Sequence, residues 1–200
     1  MKMPKNAAAL ALAFVLAACG APGPREQFFT LSAPTPGTAP PAADSPGIFV
    51  GPVSVPQAVD RQGMVLRTAP NEVDISEAYE WAEPLRKAIP RLVAETLARE
   101  LGTSRVLASR EAAGQPVDYR VAIEVQRFDS SLDDGATIDA LWTVKATRGG
   151  RTRSGRSLEH EGIASHDPAA LAAAHSRALE RVARDIAAAI RALERTPAGR

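Results

Sequence analysis

Apolar and polar residues recur along this chain with one of two periods, and the period changes three times. Ile48-Phe49-Val50 and Val53-Ser54-Val55 read as a strand in which Gly51-Pro52 marks a bulge or a sheet edge. Met64-Val65-Leu66-Arg67 follows, then the turn residues Pro70-Asn71 and a short strand over Glu72–Ile75. From Pro84 the spacing lengthens. Leu85, Ile89, Leu92, Val93, Thr96, Leu97 and Leu101 fall three or four residues apart, on one face of a helix ending near Leu101. Pro84 suits its first turn, Gly102 its C-terminal cap, and Pro90 predicts a kink.

Strand periodicity then returns. Val106-Leu107 is brief, and Tyr119, Val121, Ile123 and Val125 alternate with polar or small neighbours. Asp133-Asp134-Gly135 has the chemistry of a hairpin turn, and Ile138, Ala140, Trp142 and Val144 alternate beyond it, which turns Trp142 toward the core. Gly149-Gly150 makes the next turn, and Ser157–Ser165 is polar enough for an edge strand. Asp167-Pro168 opens a long helix with Leu171, Ala174, Ala178, Leu179, Val182, Ile186, Ile190 and Leu193 on one stripe. Strands, helix, strands, helix predict an α+β fold: a single domain with an antiparallel-rich β-sheet covered on one face by two α-helices.

Before residue 48 neither period holds. Lys2 and Lys5 precede an uncharged apolar run, Ala7–Leu16, whose roughly ten residues are too few to span a bilayer as a helix. Leu16-Ala17-Ala18-Cys19 breaks the small-residue rule of ordinary signal peptidase at Leu16 and fits a bacterial lipoprotein box. The thiol is the nucleophile that accepts the lipid, so Cys19 is the predicted lipidation site and two or three acyl chains the anchor. Gly20 lacks the Asp that retains lipoproteins in the inner membrane, which predicts the periplasmic face of the outer membrane. Residues 20–47 carry seven prolines and read as an extended tether, interrupted by Phe28-Phe29-Thr30-Leu31, a candidate edge strand. The expected organisation is a signal peptide over 1–18, the lipidated cysteine and Pro-rich tether over 19–47, the α+β domain over 48–194 and a tail over 195–200.

Composition narrows the function. Cys19 is the only cysteine, so neither an internal disulfide nor a multi-thiolate metal site can form. Of 24 basic and 23 acidic residues, Lys2 and Lys5 leave with residues 1–18, and the mature chain carries a net charge of about −1. That balance, with 4% aromatics, argues against a nucleic-acid partner.

Catalytic patterns are missing. There is no Gly-x-Ser-x-Gly elbow and no phosphate-cradling Gly-x-x-x-x-Gly-Lys. His160-Glu161 begins a zincin pattern, but Ala164 stands where the second His is required. His160, His166 and His175 read as surface residues. Asp129, Asp133, Asp134 and Asp139 read as a solvated hairpin tip, because they lack the ligand series of a calcium loop. Arg177, Arg181, Arg184 and Arg191, interleaved with Glu180, Asp185 and Glu194, predict a salt-bridged outer face on the last helix. No catalytic residue, metal or cofactor is expected.

Several segments, in order, carry a likeness to a known family: Phe29-Thr30-Leu31, Val50-Gly51-Pro52-Val53-Ser54-Val55-Pro56, Asp60-Arg61-Gln62, Glu80-Trp81-Ala82-Glu83-Pro84-Leu85, Tyr119-Arg120-Val121, Arg127-Phe128-Asp129 and Ala140-Leu141-Trp142. Together they resemble the PqiC-like family of ABC-type transport auxiliary lipoproteins, across residues 28–194. The resemblance implies a non-enzymatic lipoprotein of an intermembrane lipid transport system. It implies an MCE-domain protein as partner, homo-oligomers, and docking of the MCE assembly at the outer membrane. Trp81, Pro84 and Leu85 match family positions and are the candidate partner-binding residues, beside a structural role for Trp81 as a staple of the first helix to the sheet. The alternative is a periplasmic lipoprotein that itself binds or carries lipid, or helps outer-membrane assembly.

Overall fold

A computed structural model describes residues 25–33, 45–108 and 112–195. Cys19, Gly20, the signal peptide, most of the Pro-rich stretch and residues 196–200 lie outside the described residues. Among the described residues, eight strands and two helices follow in the order β1 (Gln27–Phe29), β2 (Ile48–Ser54), β3 (Gly63–Ala69), β4 (Glu72–Trp81), α1 (Leu85–Leu101), β5 (Val106–Leu107), β6 (Tyr119–Ser131), β7 (Gly135–Ala146), β8 (Thr152–Glu161) and α2 (Pro168–Arg195). No described helix is long and apolar enough to cross a membrane.

The sheet is mixed. Its long ladders, β3–β4, β6–β7 and β7–β8, are antiparallel. The contacts of β1 with β4, β2 with β5, and both β2 and β3 with β6 run parallel. Every parallel pair joins strands separated by other elements and never by a tight hairpin, and only such long connections bring the chain back into the sheet in the same direction. The expected antiparallel character holds where hairpins connect neighbours, and the α+β class stands.

β6 organises the sheet. One side pairs with β7 along its whole length, and the other pairs with β2 from Tyr119 to Glu124 and meets β3 at Ser130. A bulge between Val125 and Arg127 lets one strand serve both neighbours. It also shifts the buried alternation, from Tyr119, Val121, Ile123 and Val125 to Phe128 and Ser130. Gly51-Pro52 falls at the bulge of β2, and the peptide bond between them is cis.

Both helices cover the same face and pack on each other, α1 over β2 and α2 over β7 and β8. α1 ends as expected at Gly102, in the left-handed region with φ 62°, and Pro90 is buried inside the helix. Asp167 opens α2, its Oδ1 accepting from the Ala169 amide at 2.9 Å. One continuous core joins Leu31, Ile48, Met64, Trp81, Leu85, Ile89, Leu92, Ile138, Leu171, Leu179, Ile186 and Ile190. The opposite face of the sheet is open and carries the exposed apolar residues Val73, Ile75, Leu141 and Leu158.

Candidate functional site

The residues nearest Cys19 in the described chain form a clamp. Gln27–Phe29 pairs in parallel with Tyr79–Trp81, making β1 the outermost strand beside β4. Phe29 meets Tyr79 edge to face at 6.2 Å, and its carbonyl accepts from the Ala82 amide at 2.9 Å. Leu31 is fully buried in the core. Each helix then takes hold of the segment once. Arg91 of α1 donates to the Leu31 carbonyl at 2.8 Å, and the Ser32 amide donates to Ser176 Oγ of α2 at 3.2 Å. Glu83 and Glu95 orient Arg91 at 2.6 and 3.2 Å and hold its pKa above the ordinary arginine value against the opposing effect of its partial burial.

Ser76 explains how β4 reaches β1. Val65 pairs with Ile75, but Gly63 pairs with Glu80, so extra residues are looped out of β4 between those points. Ser76 Oγ accepts from the Ala78 and Tyr79 amides at 3.2 and 2.9 Å and closes that bulge. Beyond it the strand turns its face, and Trp81 enters the core.

Of the three candidate partner-binding residues, Trp81 and Leu85 are buried, whereas Pro84 is exposed with Ala82, Arg86 and Lys87 around it. Trp81 has a structural place, but its ring ties β4 to β6 and to the second helix, where the sequence suggested a staple of the first. Its ring stands edge to face against Phe128 and His175, each at 5.9 Å.

His175 corrects its surface reading. It lies on the inner face of α2, fully buried, stacked on Phe128 at 4.0 Å, and shares a 2.8 Å hydrogen bond with Ser130 Oγ through Nε2. Nδ1 meets no hydrogen-bond partner. Burial lowers its pKa from 6.5 to about 3, because the cation has no counter-charge there. The three histidines do not converge. His166 bonds Asp133 at 2.5 Å, and His160 faces Thr137 and Asp134.

The acidic cluster likewise separates. Asp133 and Asp134 sit at the β6–β7 turn, but Asp129 and Asp139 lie along the open face. Arg67 grips Asp129 with two hydrogen bonds of 3.2 and 2.7 Å, and Arg156 grips Asp139 with two of 2.8 and 2.5 Å. Arg156 holds the Asp139 carboxyl below the usual range. The arginines of α2 find partners mostly on other elements. Arg177 and Arg181 reach Glu161 of β8, Arg191 reaches the Glu100 carbonyl of α1, and Glu180 receives Arg99. Beneath them Trp142 Nε1 donates to Ser157 Oγ at 3.0 Å, and Ser157 donates to Asp185 at 2.6 Å.

Two hollows mark the open face, each of about 250–260 Å³. One lies among Pro52, Ala122, Leu141 and Thr143, the other among Val59, Val65, Arg67 and Val73. Among the described residues, no three His, Cys, Asp or Glu side chains gather as a metal site requires.

Comparison with known proteins gives the fold its place. A crystal structure of a DUF330-family protein from Xanthomonas campestris superposes with a TM-score of 0.61 at 22% identity, covering 80% of this chain and 92% of that one. A second crystal structure, of an uncharacterized protein, superposes with a TM-score of 0.66 at 16% identity, covering 83% and 99%. No curated protein matches. The family model for the ABC-type transport auxiliary lipoprotein component matches residues 29–187, from β1 into α2, and the chain belongs to that family.

Proposed function

We propose that this protein is the non-enzymatic, lipid-anchored component of an MCE/ABC-type intermembrane lipid transport system, docking the periplasmic MCE assembly at the outer membrane. Family membership across residues 29–187 carries this reading. Acyl chains on Cys19 supply the anchor, and Gly20 in the next position supports the outer membrane as its location. The folded domain supplies the docking surface, as a homo-oligomer.

A mechanical role agrees with where the reactive side chains sit. His175 is enclosed by aromatic rings, Ser157 accepts from Trp142 and donates to Asp185, and Glu161 is held by two arginines. A domain carrying lipid itself would need an apolar cavity. The two open-face hollows, at about 250–260 Å³, fall below the roughly 300 Å³ at which ligand sites begin. At the start of α1, a partner would meet Pro84, Arg86 and Lys87, because Trp81 and Leu85 are packed inside.

The test pairs Cys19→Ser with the wild type in cells. The variant should fold, lose its acyl chains, leave the membrane fraction and fail to support lipid transport. The wild type should co-purify with an MCE-domain protein. A Cys19→Ser protein that stays with membranes and transports lipid would defeat the anchoring argument, and stoichiometric lipid in the delipidated domain would favour a carrier.

A further inference from the structure

We infer that the β1 edge of the domain, with Phe28 at its centre, rests directly on the phospholipid surface; this deepens the reading above and rests on lipidation of Cys19. The argument begins with chain length. Residues 20–26 are all that separate Cys19 from β1. Whatever their conformation, eight Cα steps span at most about 29 Å. α2, with 28 residues, is itself about 42 Å long. The spacer is shorter than α2, so the lipids lie within about 29 Å of β1, and β1 is the described strand nearest the anchor along the chain.

The second observation is the side chain found there. In the segment Gln27–Leu31 the chain buries Phe29 in part and Leu31 completely, yet leaves Phe28 54% exposed. β1 is the outermost strand on this side, with β4 as its neighbour, and Phe28 stands opposite Glu80. An exposed phenyl ring beside the lipidated end can enter the boundary between headgroups and acyl chains, where burial of apolar area favours it. Charge adds little, because Arg25 is followed by Glu26 and Glu80 lies opposite. The contact should therefore be apolar and insensitive to salt. β8 borders the other side of the sheet, five strand spacings or about 24 Å away, and Leu158 is 62% exposed there.

The experiment uses the full-length, lipidated protein in vesicles of phosphatidylethanolamine and phosphatidylglycerol. Lipidation consumes the only native thiol, so Phe28→Cys or Leu158→Cys accepts a single environment-sensitive fluorophore. With nitroxide-labelled lipids present, quenching at position 28 should be several-fold stronger than at position 158 and unchanged by salt. A long Gly/Ser insertion between Pro24 and Arg25 should reduce it to the level at 158. If the protein floats with the vesicles but both positions quench alike, the membrane-facing edge is wrong while the anchor stands. A blue-shifted but unquenched label at 28 means that protein, such as a second copy, covers this edge, which also overturns the inference. Protein that does not float at all removes the anchor reading itself.

Discussion

Acidification from pH 7 to pH 5 should weaken the fold through one side chain, His175. Its ring is fully buried between Trp81, Phe128 and Ser130 on the inner face of α2, with a pKa lowered from 6.5 to about 3. Between those two values the unfolded chain holds a proton that the folded chain refuses. Stability then rises with pH across this window, is fully present above about pH 6.5, and is lost as the pH falls. At pH 5 the unfolded ring is protonated by about 1.5 pH units, which costs the folded state about 2 kcal/mol.

Two carboxyl groups bear on the same window. Asp139 is held below the usual range by Arg156, so its contribution is present above its unfolded pKa and fades only as the pH falls through more acidic values. Glu159 is raised by burial and by Asp185, and so has the opposite sign, gaining stability as the pH falls toward its ordinary range. It can trim the low end of the slope and cannot create it. Urea unfolding of Cys19→Ser protein, followed by circular dichroism at pH 7, 6 and 5, measures the slope. His175→Gln should be less stable at pH 7 but nearly flat with pH. A variant that keeps the wild-type slope would refute the assignment to His175, as would a wild type that shows none.

Other substitutions read other parts of the structure. A Cβ on Gly155 would collide with the six-membered ring of Trp142, so Gly155→Ala should cost about 1–3 kcal/mol. Trp142→Phe removes the colliding atoms, so a denaturant double-mutant cycle should show favourable coupling. Arg91→Ala releases the Leu31 carbonyl, and hydrogen exchange at the Ser32 amide should quicken several-fold with a global loss of about 1 kcal/mol. Leu85→Ala should cost about 2–5 kcal/mol as a core truncation. Pro84→Ala should leave thermal stability nearly unchanged while weakening retention of an MCE-domain partner in a pull-down.

Regular spacing and punctuation made most of the elements legible. Both helices keep an apolar step of three or four residues, and Pro84, Gly102 and Asp167 stand at their ends with the expected chemistry. The β6 and β7 hairpin was readable from its alternation and its Asp-Asp-Gly turn. His175 was readable too. It lies four residues from both Leu171 and Leu179, on the stripe itself, and its polarity hid a position that the spacing already placed inside. Other features depend on partners far along the chain. Nothing local tells Arg177 to choose Glu161 over a helix neighbour, or separates Asp139 from the turn acids nearby in sequence. The bulge in β6 matters because two different strands share one of its sides, which no window around Gln126 contains.

β1 shows most clearly how a nonlocal contact decides a functional distance. Phe28-Phe29-Thr30-Leu31 could be noticed within a Pro-rich stretch, but its partners Tyr79–Trp81 lie some fifty residues away. With β1 paired, the spacer from Cys19 is residues 20–26, about 29 Å at full extension. With β1 released, it would run to Ile48, and its 28 residues could reach about 100 Å. The parallel ladder of three residues that separates these cases is short, and tension along the N-terminal segment loads it in shear. Burial of Leu31, the Arg91 bond to its carbonyl and the Ser176 bond to Ser32 reinforce it from both helices. In the anchored reading, those contacts set the height at which the domain meets its partner.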